Sequence, residues 1–127
     1  MTLKILVVDD SKLARMAAAK ALNTLHPDWA RLEATNADEA LALVKSAGVD
    51  VALLDFNMPG RDGLELAAEL RALHPEIVLA VVSANLQEEI VARAHAVGAS
   101  FLPKPVTAQA LGAFLDSAAL PDKSGAQ

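Results

Sequence analysis

Five short apolar runs, each followed by a stretch with helical punctuation, limit this chain more than any other feature it has. The runs are Leu3 to Val8, Ala30 to Ala34, Val51 to Leu54, Ile77 to Val82 and Ser100 to Pro103. Strand then helix, five times over, predicts an α/β fold with a doubly wound, five-stranded parallel sheet. The first, third and fourth runs carry few charges, as strands covered on both faces require. The second alternates apolar residues with Arg31 and Glu33, and the fifth ends in Pro103, which donates no ladder hydrogen bond. Both therefore suit sheet edges. Ser11 caps a helix running to about Leu25, and Asn36 with Glu39, Asp62 with Glu65, and Asn85 with Glu88 are spaced to start three more. Thr107 starts the fifth. Gly48 and Gly98 close the second and fourth helices, while Pro75 and Pro121 stop the third and fifth.

A chain of 127 residues, 54% of them apolar, suits one domain with a real core. Residues 1–120 form that domain in this reading, and 121–127 are a flexible C-terminal tail. The absence of Cys excludes disulfides and Cys-ligated zinc. A net charge of −5 argues against direct nucleic-acid binding. The first apolar run is too short for a signal segment, and no run spans a membrane, so a cytoplasmic protein without membrane partners is expected.

The polar residues that carry chemistry are not scattered. Asp9, Asp10, Asp55, Ser83 and Lys104 each fall at the carboxyl end of a predicted strand. In an open parallel sheet those ends share one rim, where ligands bind. Three carboxylates brought together repel one another unless one takes up a proton or a cation sits among them. Mg²⁺ is the natural partner, since it binds through one or two carboxylates and leaves room for a phosphate oxygen. A carboxylate can also attack phosphorus to give an aspartyl phosphate. Lys104 would pair with one phosphate oxygen as a point charge, and Ser83 would donate to another.

Four ordered motifs carry a family likeness: "ILVVDDS", "ALLDFNMPGRDGLEL", "VVSAN" and "FLPKPV". With them the chain resembles the receiver domains of two-component response regulators, over nearly its whole length. The resemblance implies the flavodoxin-like, CheY-like (βα)5 fold with strand order 2-1-3-4-5. It makes Asp55 the phosphoacceptor, with Mg²⁺ (or Mn²⁺) held by Asp9, Asp10, Asp55 and the backbone carbonyl of Asn57. Asp10 would be a direct ligand, and Asp9 would hold a metal-bound water. Ser83 is the switch hydroxyl, where Thr is commoner in the family, and small Ala84 beside it keeps the acceptor accessible. Lys104 pairs with phosphate, the Lys104–Pro105 bond is cis, and Phe101 is the aromatic switch. Met58, Pro59 and Gly60 make the loop after the acceptor, and Gly63 opens the next helix. The implied partners are a histidine kinase or histidine phosphotransfer protein and a downstream target protein. The protein would be a monomer or a phosphorylation-dependent dimer. It would be a signalling domain that promotes only its own phosphorylation and dephosphorylation, not an enzyme.

Plainer readings stand beside these. Alone, Asp9 and Asp10 are strand-end or capping residues, Ser83 is a helix-entry residue, and Phe101 is core. The Ala-rich first helix is a docking face or only tight packing. His26 and His74 each precede Pro and suggest helix termini, and Trp29 reads as packing. A haloacid-dehalogenase-like phosphatase shares the Asp nucleophile but needs a second carboxylate where Asn57 stands. A flavodoxin-like cofactor carrier needs a phosphate-cradling loop where two Asp stand. A pseudo-receiver that never takes phosphate has no need of all five rim residues.

Overall fold

The computed structural model describes residues 3–58, 60–84, 87–118 and 120. The expected alternation is realised as β1 (Lys4–Val8), α1 (Lys12–Leu25), β2 (Ala30–Ala34), α2 (Ala37–Ala47) and β3 (Val51–Asp55), then α3 (Gly63–Leu73), β4 (Val78–Ser83), α4 (Glu88–Ala96), β5 (Ala99–Pro103) and α5 (Ala108–Ser117). All pairings are parallel, and the order is β2-β1-β3-β4-β5. The charged second strand and the Pro-ending fifth are the two edges, as their composition requires. Five strand boundaries move by one residue from the expected runs: β1 begins at Lys4, β3 extends to Asp55, β4 runs from Val78 to Ser83, and β5 begins at Ala99. The pairing ladder, not hydropathy, sets those limits, so it takes in the polar residues Asp55 and Ser83.

Successive strand residues face opposite sides, so the apolar strands supply two cores. Leu6, Val8, Ala52, Leu54, Leu79 and Val81 face α2, α3 and α4, and pack on Val44, Leu66, Leu70 and Ile90. Ile5, Val7, Val51, Leu53, Ala80 and Val82 face α1 and α5, and pack on Leu22, Leu111, Phe114 and Leu115. Each fully buried Leu contributes about 2 kcal/mol relative to an exposed one. With aromatics at only 3% of the chain, aliphatic burial does nearly all of this.

Helix punctuation follows local hydrogen bonding. Ser11, Asn36, Asp62 and Thr107 are N-caps whose side chains accept from the third residue on. The Asp62–Glu65 pair closes both arms of a capping box. Glu39 instead bonds to the N–H and hydroxyl of Thr35, which holds its carboxyl below the usual range. His26 and His74 are the C-caps of α1 and α3. His26 also stacks on Trp29 with ring centroids 4.0 Å apart.

The fourth helix departs from expectation. Its N-cap is Gln87, with no side-chain cap bond, and Asn85 lies outside the described residues, as do Pro59 and the segment 121–127. The far end of that helix is better held. Arg71 of α3 donates to the carbonyls of Val97 and Gly98 in the α4–β5 turn, and to those of Pro75 and Ile77 ahead of β4. Gly98 takes a φ of 72°, a conformation that costs other residues a Cβ clash. Among the described residues no helix is long and apolar enough to cross a membrane.

Candidate functional site at the carboxyl rim

Parallel pairing aligns the strand ends, and the loops that leave them carry the site. Asp9 follows β1, and its N–H donates to Ala34 O at the end of β2. Asp55 ends β3 opposite Val82. Ser83 ends β4 opposite Pro103, and its carbonyl accepts from Lys104 N–H. Carboxylate oxygens of Asp9, Asp10 and Asp55 come within 4.8 Å of one another. Asp9 and Asp55 are buried, whereas Asp10 is exposed. The Lys104 ammonium lies 3.0 Å from Asp9 Oδ2 and 3.4 Å from Asp55 Oδ1. Asp9, Asp10, Asp55 and Lys104, spread over nearly a hundred positions, thus share one crevice, and the Lys104–Pro105 bond beside it is cis.

Each of the two buried carboxylates is oriented by a backbone donor. Ser11 N–H donates to Asp9 Oδ1 at 2.8 Å. Asn57 N–H donates to Asp55 Oδ1 at 3.3 Å. The loop after β3 is drawn in by Phe56 N–H to Val82 O and Gly63 N–H to Phe56 O. Gly63 is needed where α3 meets this loop, because a Cβ there would sit 2.5 Å from the Asp55 carbonyl oxygen.

The electrostatics are those of crowded acids around one cation. Burial and then the neighbouring Asp9 charge push the Asp55 carboxyl up, against the opposing pull of Lys104 and Asn57 N–H. Burial pulls the Lys104 ammonium down, but its bond to Asp9 and the two negative charges outweigh that and hold it above its ordinary value. A set of hard oxygen donors with unneutralised negative charge fits a hard divalent ion, and fits Mg²⁺ in particular.

The remaining expected residues differ in burial. Ser83 is 2% exposed. Ala84 is exposed. Phe101 is half-buried against the α2–α3–α4 core, and Asn57 is exposed. One neighbour escaped sequence reasoning. Arg15 donates to the Asp9 carbonyl oxygen at 2.8 Å. A backbone acceptor has no residue identity, so nothing in the sequence announces this contact.

An open five-stranded parallel sheet with an acidic, lysine-bearing crevice at its carboxyl rim defines the doubly wound α/β class, which binds ligands at that rim. The family model for the response regulator receiver domain matches residues 5–116, and the chain belongs to that family, a family of signalling domains in two-component systems. It is 37% identical over 125 residues to the positive alginate biosynthesis regulatory protein of Pseudomonas aeruginosa, covering 95% of this chain and 49% of that one. It is 38% identical over 104 residues to protein-glutamate methylesterase/protein-glutamine glutaminase 3 of Rhodospirillum rubrum, covering 80% of this chain and 28% of that one. The chain thus spans half or less of the length of these relatives. Among solved structures it is similar to the chemotaxis protein CheY4 of Vibrio cholerae, with a TM-score of 0.82 and 28% identity over 91% of this chain and 98% of that one.

Proposed function

We propose that this chain is a phosphorylatable receiver in which Asp55 accepts a phosphoryl group from a phosphohistidine partner. The observation that carries the reading is the convergence of Asp9, Asp10, Asp55 and Lys104 in one crevice. Asp9, Asp10, Asp55 and the Asn57 carbonyl would hold Mg²⁺, or Mn²⁺ in its place. When bound, the ion supplies charge neutralisation for the incoming phosphoryl oxygens. A carboxylate oxygen of Asp55 attacks phosphorus, the bond from phosphorus to the donor imidazole nitrogen breaks, and the imidazole leaves. Lys104 shifts its ammonium from the two carboxylates toward a phosphoryl oxygen, and the Ser83 hydroxyl donates to another. Ser83 is seated at the end of β4, one strand from Phe101 in β5, so its movement is felt by the aromatic ring through packing alone. Output follows as a population shift of the α4–β5–α5 face toward a target-binding form.

Donor docking has support on α1. Leu13 and Met16 are 78% and 55% exposed, on the helix that leaves the acidic loop. The donor is a histidine kinase or histidine phosphotransfer protein in this reading, and residues 1–120 are the functional receiver unit. Incubation with a small phosphodonor and Mg²⁺, followed by intact mass measurement, tests the proposal. The native chain gains one phosphoryl group and Asp55→Asn gains none. A gain that survives Asp55→Asn, or no gain in the native chain, defeats it.

A further inference from the structure

The peptide that joins Asp9 to Asp10 is held by a side chain the phosphoacceptor reading does not use. Arg15, one turn into α1, donates from Nη1 to the Asp9 carbonyl oxygen at 2.8 Å. Its Nε donates to Glu33 Oε1 at 2.9 Å. Glu33 in turn accepts from Arg31 Nε at 3.3 Å. A hydrogen-bonded chain therefore runs from the charged edge strand β2 to the acidic loop. Only 16% of the Arg15 side chain is exposed, so its fork is fixed by packing rather than free in water.

A peptide unit is planar, so fixing its oxygen also fixes the direction in which the chain enters Asp10. The same loop is tied on its other side by Ser11 N–H to the Asp9 carboxylate. An exposed Arg–Glu pair alone is worth little. Here the second arm of the guanidinium reaches the backbone between two carboxylates, which an ordinary surface pair does not do. We propose that Arg15 is a positioning residue for the acidic site. It sets the Asp9–Asp10 peptide so that both carboxylates face a divalent cation, and Glu33 holds Arg15 in place. This also gives a use to the charges that mark β2 as an edge. The inference rests on the phosphoacceptor reading for its cation, and not for its hydrogen bonds.

The test uses the full chain and two readouts. Mn²⁺ affinity is measured from the electron paramagnetic resonance signal of the free ion, for the native chain, Arg15→Gln, Arg15→Lys, Glu33→Gln and Arg93→Gln. The last removes an equal charge from the exposed face of α4. Arg15→Gln weakens Mn²⁺ binding by about tenfold or more, the usual scale for groups that orient metal ligands. Arg15→Lys recovers only part of this, because one ammonium cannot serve both the carbonyl and Glu33 as a fork does. Glu33→Gln costs less, and Arg93→Gln least. Amide exchange at Ser11, measured without metal, quickens in Arg15→Gln while thermal unfolding shows the chain native at the assay temperature. An affinity loss in Arg15→Gln no greater than in Arg93→Gln overturns the inference, and so does unchanged Ser11 protection. Failure of the native chain to bind Mn²⁺ counts instead against the phosphoacceptor reading, and the Ser11 exchange still judges Arg15.

Discussion

Asp55 is held between opposed influences, and their sum sets what a substitution there does. Burial and the Asp9 charge favour its neutral form more strongly than Lys104 favours the ionised one. Its proton affinity is therefore higher in the folded chain than in the unfolded one. A carboxyl of this kind contributes stability that is fully present below its unfolded pKa of about 4 and is lost as pH rises through the folded value. At neutral pH the ionised group works against the fold. Asp55→Asn should then raise the melting midpoint of the metal-free protein by roughly 2–5 °C at pH 7. The difference should shrink in melts recorded at successively lower pH, as the native side chain takes up its proton. A midpoint lowered by the substitution at pH 7 would mean that the Lys104 pair, not desolvation, dominates the site.

At the scale of the element, the close meeting of β3 and α3 gives a substitution whose sign is opposite to helix propensity. Gly to Ala in an open helix position gains about 1 kcal/mol. At Gly63 the added Cβ meets the Asp55 carbonyl oxygen at 2.5 Å and its carbon at 3.0 Å. These are backbone atoms of a central strand and cannot swing aside. Gly63→Ala should cost about 1–3 kcal/mol, read as a lower urea midpoint at unchanged slope. It should also slow phosphoryl uptake, since the displaced atoms belong to the proposed acceptor, Asp55. The elements themselves were largely written in the chain. Apolar runs marked the strands, Arg31, Glu33 and Pro103 marked the edges, and Ser11, Asn36, Asp62 and Thr107 marked four helix starts. The start of α4 was misread because Asn85 and Glu88 have cap spacing, whereas the helix takes Gln87 as its N-cap. The five rim residues were legible because side-chain chemistry and strand ends coincide in sequence. Arg15 and the tight approach at Gly63 were not, because their partners are backbone atoms brought close only by the fold.

At the scale of the whole molecule, the acidic crevice makes stability and ligand binding one equilibrium. The Lys104 ammonium bridges the buried carboxylates Asp9 and Asp55. The unfolded chain disperses Asp9, Asp10, Asp55 and Lys104, so it neither repels itself there nor offers a cation site. A divalent ion that binds only the folded form stabilises it by about 2.7 kcal/mol at a hundredfold excess over its dissociation constant. Mg²⁺ should thus raise the melting midpoint by several degrees at pH 7, and the rise should be saturable. Monovalent salt at matched ionic strength should not reproduce it, because screening acts on exposed charges more than on this buried pair. Protons compete with the ion for the same oxygens. Since Asp55 holds its proton more tightly than an ordinary carboxyl, the Mg²⁺ effect should fade at a higher pH than it would for a site of ordinary carboxyls. Asp10→Asn should weaken it as well, although Asp10 is exposed and its loss leaves the core untouched. Melts of the native chain and Asp10→Asn across a Mg²⁺ series at several pH values would separate these terms. A Mg²⁺ response equal in the two proteins would remove Asp10 from the ion's ligands and leave the buried pair to hold it.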